Sequence, residues 1–249
     1  MADQKTAGAG VGAISETRLP NGLVVIVQED HRVPSVSMAI RYDAGERSST
    51  SPCVVRLAEI AMQRRTRHVG EGQYEALLKR AWAATWSWQA IEDAASFNAT
   101  VPSSQLALPL WLWSDQMGFF DATDERLLAL SRPELREQVR ASGEMSTAVR
   151  ALDFANDALF PEGHPYRHAA CDPAAVDAAT GAAVQELHDT RMTPDHAPLA
   201  IVGDVKTSEA LALGILEQEG GAAIAGLDAA VGNAGLGKAL LPPQQRVLA

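Results

Sequence analysis

The chain has 249 residues, of which 47% are hydrophobic, with a formal charge of -10 and two cysteines. That is enough apolar content to bury a full core in one large or two small domains. The acidic balance disfavours nucleic acid and anionic membranes as partners, because phosphates are not attracted without a local basic patch. Cys53 and Cys171 are too few and too far apart to read as a disulfide framework, and both are expected to be reduced thiols. Residues 1–12 are small and polar with no apolar stretch of signal-peptide length, and no run approaches bilayer-spanning length. A cytoplasmic chain is expected, or a periplasmic one if a leader was removed.

Asn21-Gly22, lying between the segments 14–19 and 23–28, is a strong hairpin signal. Residues 35–42 alternate as a third strand, with Val36, Met38 and Ile40 on one face and Ser35, Ser37 and Arg41 on the other. Helices are predicted at 52–64 and 71–82, then strands at 84–91 and 94–101, then a helix at 106–117. The helical pattern at 124–159 is expected to break near Ser131-Arg132-Pro133, since proline disfavours helical geometry in the residue before it. A helix at 174–191, a buried strand at 198–203 and a helix at 207–218 complete an α+β layout, with helices on one face of a mostly antiparallel sheet. After Gly220 the composition turns to Ala, Gly and Leu and ends in a segment containing Leu241-Pro242-Pro243. The expected organisation is a flexible 1–14, a domain at 15–220 and a linker-like tail at 221–249, with no internal repeat.

No phosphate-binding loop and no nucleophile elbow occurs. The basic cluster Arg64, Arg65, Arg67 and His68 reads as a solvated helix end. His164 and His168 have i,i+4 spacing with Glu162 nearby, a metal-ligand spacing if the segment were helical, although a packing and hydrogen-bonding His164 fits its context better. His31, His68, His188 and His196 read singly as surface or capping residues. Trp111 and Trp113 read as core. Trp86 and Trp88, two apart on a strand, share a face, and core packing and a binding platform both remain open for them.

A set of segments in order carries a resemblance. Leu19-Pro20-Asn21-Gly22-Leu23-Val24-Val25 precedes the acidic turn Glu29-Asp30-His31 and the loop Ala44-Gly45-Glu46-Arg47. Ala107-Leu108 follows with Trp111, Trp113, Asp115 and Met117. Then come Leu159-Phe160-Pro161, His164-Pro165-Tyr166-Arg167, and Thr193-Pro194-Asp195-His196 leading into Leu199-Ala200-Ile201-Val202-Gly203-Asp204. Over roughly residues 15–220 this resembles the pitrilysin/insulinase family of zinc metallopeptidases, processing peptidases included. The resemblance implies one metallopeptidase-like half-unit.

The family's zinc helix reads H-x-x-E-H, two imidazoles on one face and a glutamate that activates water. Here the aligned stretch is Arg56-Leu57-Ala58-Glu59-Ile60. A guanidinium repels a dication and isoleucine has no lone pair, so only Glu59 remains of the motif. The third-ligand position falls at Ser142 when Arg136-Glu137-Gln138-Val139 is taken as anchor. A register shift offers Glu144, and ungapped counting from Ile60 offers Glu137. The strand bearing Trp86, Ser87 and Trp88 corresponds to the family's cleft-lining edge strand, which pairs with extended peptides.

The resemblance therefore implies a catalytically inactive subunit, with no catalytic residue, metal or cofactor of its own. It would enclose peptide or precursor substrate beside a zinc-bearing family member in a heteromer, or failing that form a homodimer. The alternative is a purely structural scaffold subunit without peptide binding. A third reading pairs Glu59 with metal ligands supplied across an interface. The state of strand 84–91 discriminates the first two: open favours peptide handling, covered favours scaffolding.

Overall fold

The computed structural model describes residues 11–49, 51–145, 147–167 and 171–216. Of the expected flexible N-terminus only the part from Val11 onward is described, and the expected tail at 221–249 lies outside the described residues.

Alternating strands build the sheet. β1 (Val11–Arg18) and β2 (Val24–Asp30) form the expected hairpin, closed by Leu19 N–H to the Leu23 carbonyl at 2.8 Å. Gly22 adopts φ +94°, a left-handed conformation that a side chain would strain, and Asn21 Oδ1 accepts the Leu23 N–H. β3 (Ser35–Tyr42), β4 (Thr85–Ala90), β5 (Ala95–Pro102) and β6 (Pro198–Gly203) complete six strands in the order β1-β2-β6-β3-β5-β4. All neighbours are antiparallel except β2 and β6, which run parallel.

One sheet face carries Val25, Val27, Val36, Met38, Ile40, Phe97, Ala99, Leu199 and Ile201, all buried. The helices are α1 (Pro52–Arg64), α2 (Gln73–Arg80), α3 (Ala107–Phe119), α4 (Glu125–Met145), α5 (Thr147–Leu159), α6 (Pro173–Ala178), α7 (Gly181–Arg191) and α8 (Thr207–Leu216), and all but α2 and α5 pack side chains into the cluster on that face. Val54, Val55, Leu57, Ala58, Ala61 and Met62 of α1 belong to the same cluster as the sheet residues. A second cluster, with Tyr74, Leu78, Trp111 and Leu112, joins α2 to α3. Trp111 and Trp113 are core, the latter donating its indole N–H to the Tyr74 hydroxyl at 3.2 Å.

Four expectations are corrected. α4 passes unbroken through Pro133. That ring lacks the N–H that would bond the Ala129 carbonyl, but the position is exposed, so solvent is at hand for the freed acceptor. The single helix expected at 174–191 is two. Thr180 Oγ1 accepts the Ala183 N–H and caps α7, and a Cβ on Gly181 would lie 2.4 Å from the Ala122 carbonyl oxygen, an approach only glycine permits. Cys53 and Cys171 are not thiols but a disulfide spanning 118 residues, with Cα atoms 5.0 Å apart, because α1 and α6 begin side by side. His188 is buried rather than superficial, since α7 lies against α1 and the ring donates Nε2–H to the Gln116 carbonyl of α3 at 2.9 Å.

Candidate functional site

α1 begins where Ser51 Oγ accepts the Cys53 N–H at 3.3 Å and Pro52 opens the first turn. The helix is buried almost all round, which fixes its rotation. Arg56 is half-buried, and Glu59 and Ile60 are each only 4% exposed. Residues 56, 60 and 63 fall on one stripe at helical spacing.

These side chains do not fit a zinc ion. Arg56 carries a fixed positive charge and Ile60 offers hydrocarbon, so neither can donate to a metal. Glu59 is enclosed with Oε1 lacking any hydrogen-bond partner. Burial pushes its carboxyl up to about 8, against the opposing pull of Arg56 and with a small further push from Glu46. The group is therefore neutral at pH 7, not an ionised base. Among the described residues no group of three or more His, Cys, Asp or Glu is placed to hold a metal.

Beside this stripe opens a cavity of about 220 Å³, lined by Ile60, Gln63 and Arg64 of α1, Glu75 of α2, Trp88 of β4 and Glu134 of α4. Arg64 crosses it to Glu134 at 2.7 Å and to Glu71 at 3.6 Å. Of the three positions considered for the third ligand, Glu137 is exposed and paired with Arg140. The side chains of Ser142 and Glu144 lie outside the described part. The α4 residue that lines the cavity is Glu134, which sequence reasoning missed. A helical wheel puts it on the inward face with Leu127, Ser131 and Leu135, but only the packing of α4 across α1 brings it to the cavity.

β4 supplies another wall. Among the described residues it pairs only with β5, so its outer edge is free of ladder bonds. The hairpin closes with Ile91 N–H to the Ala94 carbonyl at 2.8 Å, and antiparallel alternation then turns the main-chain groups of Trp86, Trp88 and Ala90 outward. Their side chains pack half-buried against the helical layer, while Ser87 is exposed on the opposite face. Lys79 Nζ lies 5.9 Å from the Trp86 ring centroid. Just before the strand, Trp82 is 79% exposed and has φ 54°, an unusual conformation for a bulky residue.

The other candidates serve structure. Arg65 pairs with Asp124 and His68 with Asp115, while the exposed Arg67 lies over the Phe119 ring. Asp115, 2% exposed, accepts from both the Thr66 hydroxyl and His68 Nδ1–H, and Thr66 Oγ1 accepts the Val69 N–H. His164 lies in a turn, stacked on Phe160 with centroids 4.6 Å apart, its Nδ1 accepting the Tyr166 N–H. His168 lies outside the described residues.

No family model matches the chain, and no curated protein matches it. Solved structures do. A putative M16-like peptidase from Alicyclobacillus acidocaldarius superposes with TM-score 0.73 at 17% identity, over 84% of this chain and 50% of that one. A peptidase M16 inactive domain from Pseudomonas fluorescens gives 0.71 at 18%, over 82% and 50%. Pitrilysin gives 0.72 at 12%, over 81% and 22%. The chain thus spans about half the length of the first two and about a fifth of the third. It has the α+β fold of one pitrilysin-type, or M16, half-unit.

Proposed function

We propose that the chain is a non-catalytic M16-type unit that forms one wall of a peptide-binding chamber beside a zinc-bearing partner of the same fold. What supports this reading is the trio on α1, a half-buried Arg56, a buried Ile60 and a buried Glu59 with an unpartnered oxygen, none of them suited to hold zinc; the resemblance would put Arg56 and Ile60 at the two imidazole positions. Hydrolysis needs one metal centre, whereas excluding water and orienting a chain needs walls on both sides. One of the similar structures is itself described as an inactive domain.

The open β4 edge favours peptide handling over a purely structural scaffold. An extended segment laid along it meets the outward main-chain groups of Trp86, Trp88 and Ala90. The cavity between Ile60, Trp88 and Glu134 then receives one of its side chains. A cross-interface metal using Glu59 is disfavoured, since its carboxyl is enclosed and uncharged.

The test is to purify the chain from its native cells and assay metal content, peptidase activity and co-eluting proteins. Expected are no stoichiometric zinc on the separated chain, no cleavage by it alone, and a co-eluting homologue that carries H-x-x-E-H. Equimolar zinc together with chelator-sensitive peptidase activity of the isolated chain overturns the proposal.

A further inference from the structure

The disulfide joins the first turns of two helices. Ser51 caps α1 and is followed by Pro52 and Cys53; Asp172 caps α6, accepting the Ala175 N–H at 2.7 Å, and stands between Cys171 and Pro173. Each helix therefore has its start specified twice, by a cap and by a proline at the first position. The two starts are brought together by packing, since α1 and α6 touch each other and both touch α4. Cys53 is fully buried and Cys171 is half-buried.

We propose that this protein works in an oxidising compartment, with Cys53–Cys171 as a permanent structural tie that fixes the start of α1 to α6. Three observations converge. The described residues hold no free cysteine. The bond closes a long loop, the arrangement in which a crosslink restricts the unfolded chain most. It also lies one helical turn before Arg56, so it anchors the same helix whose rotation sets Glu59 inside and Ile60 on the cavity wall. In a reducing cytosol such a bond is not maintained.

Closing the bond removes two protons and two electrons from the thiols. The acceptor is the disulfide of a thiol–disulfide oxidoreductase, which leaves as a dithiol after a mixed-disulfide step. The partly exposed Cys171 is the sulfur that meets the oxidoreductase, and the buried Cys53 resolves the intermediate.

The experiment traps thiols by acid quench of the native cells. The full chain is then alkylated with a polymer-tagged maleimide under denaturing conditions, before and after reduction. Expected are no modification before reduction and two additions after it. Two reactive thiols in the quenched cells overturn the proposal. A second measurement tests the tie itself: reduction of the purified wild-type chain, or Cys171→Ser, is expected to lower Tm by roughly 10 °C for a loop of this size. An unchanged Tm in the reduced protein refutes the structural role even where the bond forms in the cell.

Discussion

Two buried carboxyl groups, one on α3 and one on α1, make an instructive contrast. Asp115 and Glu59 are almost equally enclosed, at 2% and 4% exposure. Asp115 has both oxygens occupied, by Thr66 and His68, and this triangle closes the loop after α1. Glu59 has an oxygen with no partner and survives only by holding its proton. The first is a polar residue that the fold requires. The second is a polar residue that its surroundings leave with an unpartnered oxygen.

The contrast predicts opposite signs on mutation. Asp115→Ala leaves Thr66 and His68 without their acceptor and is expected to destabilise the fold by about 3 kcal/mol in urea titration. A change below about 1 kcal/mol would show that the triangle is decorative. Glu59→Leu is expected to stabilise, by about 2 kcal/mol at pH 7, because it removes an unsatisfied buried acceptor.

That gain should grow with pH. The Glu59 carboxyl sits near 8 when folded and at its ordinary value of 4.5 when unfolded. Between these values the unfolded chain gives up the proton while the folded chain keeps it. The group's contribution is thus most favourable below pH 4.5 and declines as pH rises toward 8. The difference between Glu59→Leu and wild type, measured at pH 5 and pH 8, must be larger at pH 8, and a flat or reversed difference breaks the contrast. At the small end, Glu75 pairs with Lys79 at the surface at i,i+4 spacing and 3.0 Å. Glu75→Ala should shift stability by less than about 0.5 kcal/mol, the same chemical group being worth little in water.

Much of the fold was legible because its signals are local. Asn21-Gly22 fixed the first hairpin, alternation fixed β3, and the helix expected at 52–64 is α1. Pro133 misled because the cost of a helical proline is largest where the freed carbonyl has no other donor, whereas this position is exposed and water can donate. The split at 179–180 was hidden because Thr180 and Gly181 become a cap and a close contact only once Ala122 is alongside. Cys53 and Cys171 failed for the same reason: sequence distance does not report that two helices start side by side. In the site, Arg56, Glu59 and Ile60 were readable as one helical stretch. Glu134 was not, since its place on the cavity wall depends on how α4 crosses α1.

Among the described residues β6 is the last strand in sequence, yet it sits between β2 and β3, paired with both. Until residue 203 is available, the β1–β2 ribbon and the β3–β5–β4 sheet have no ladder between them, and each presents an unzipped edge. During synthesis the final strand must arrive as a keystone, so the growing polypeptide stays open to misassembly until nearly all of the described region has left the ribosome.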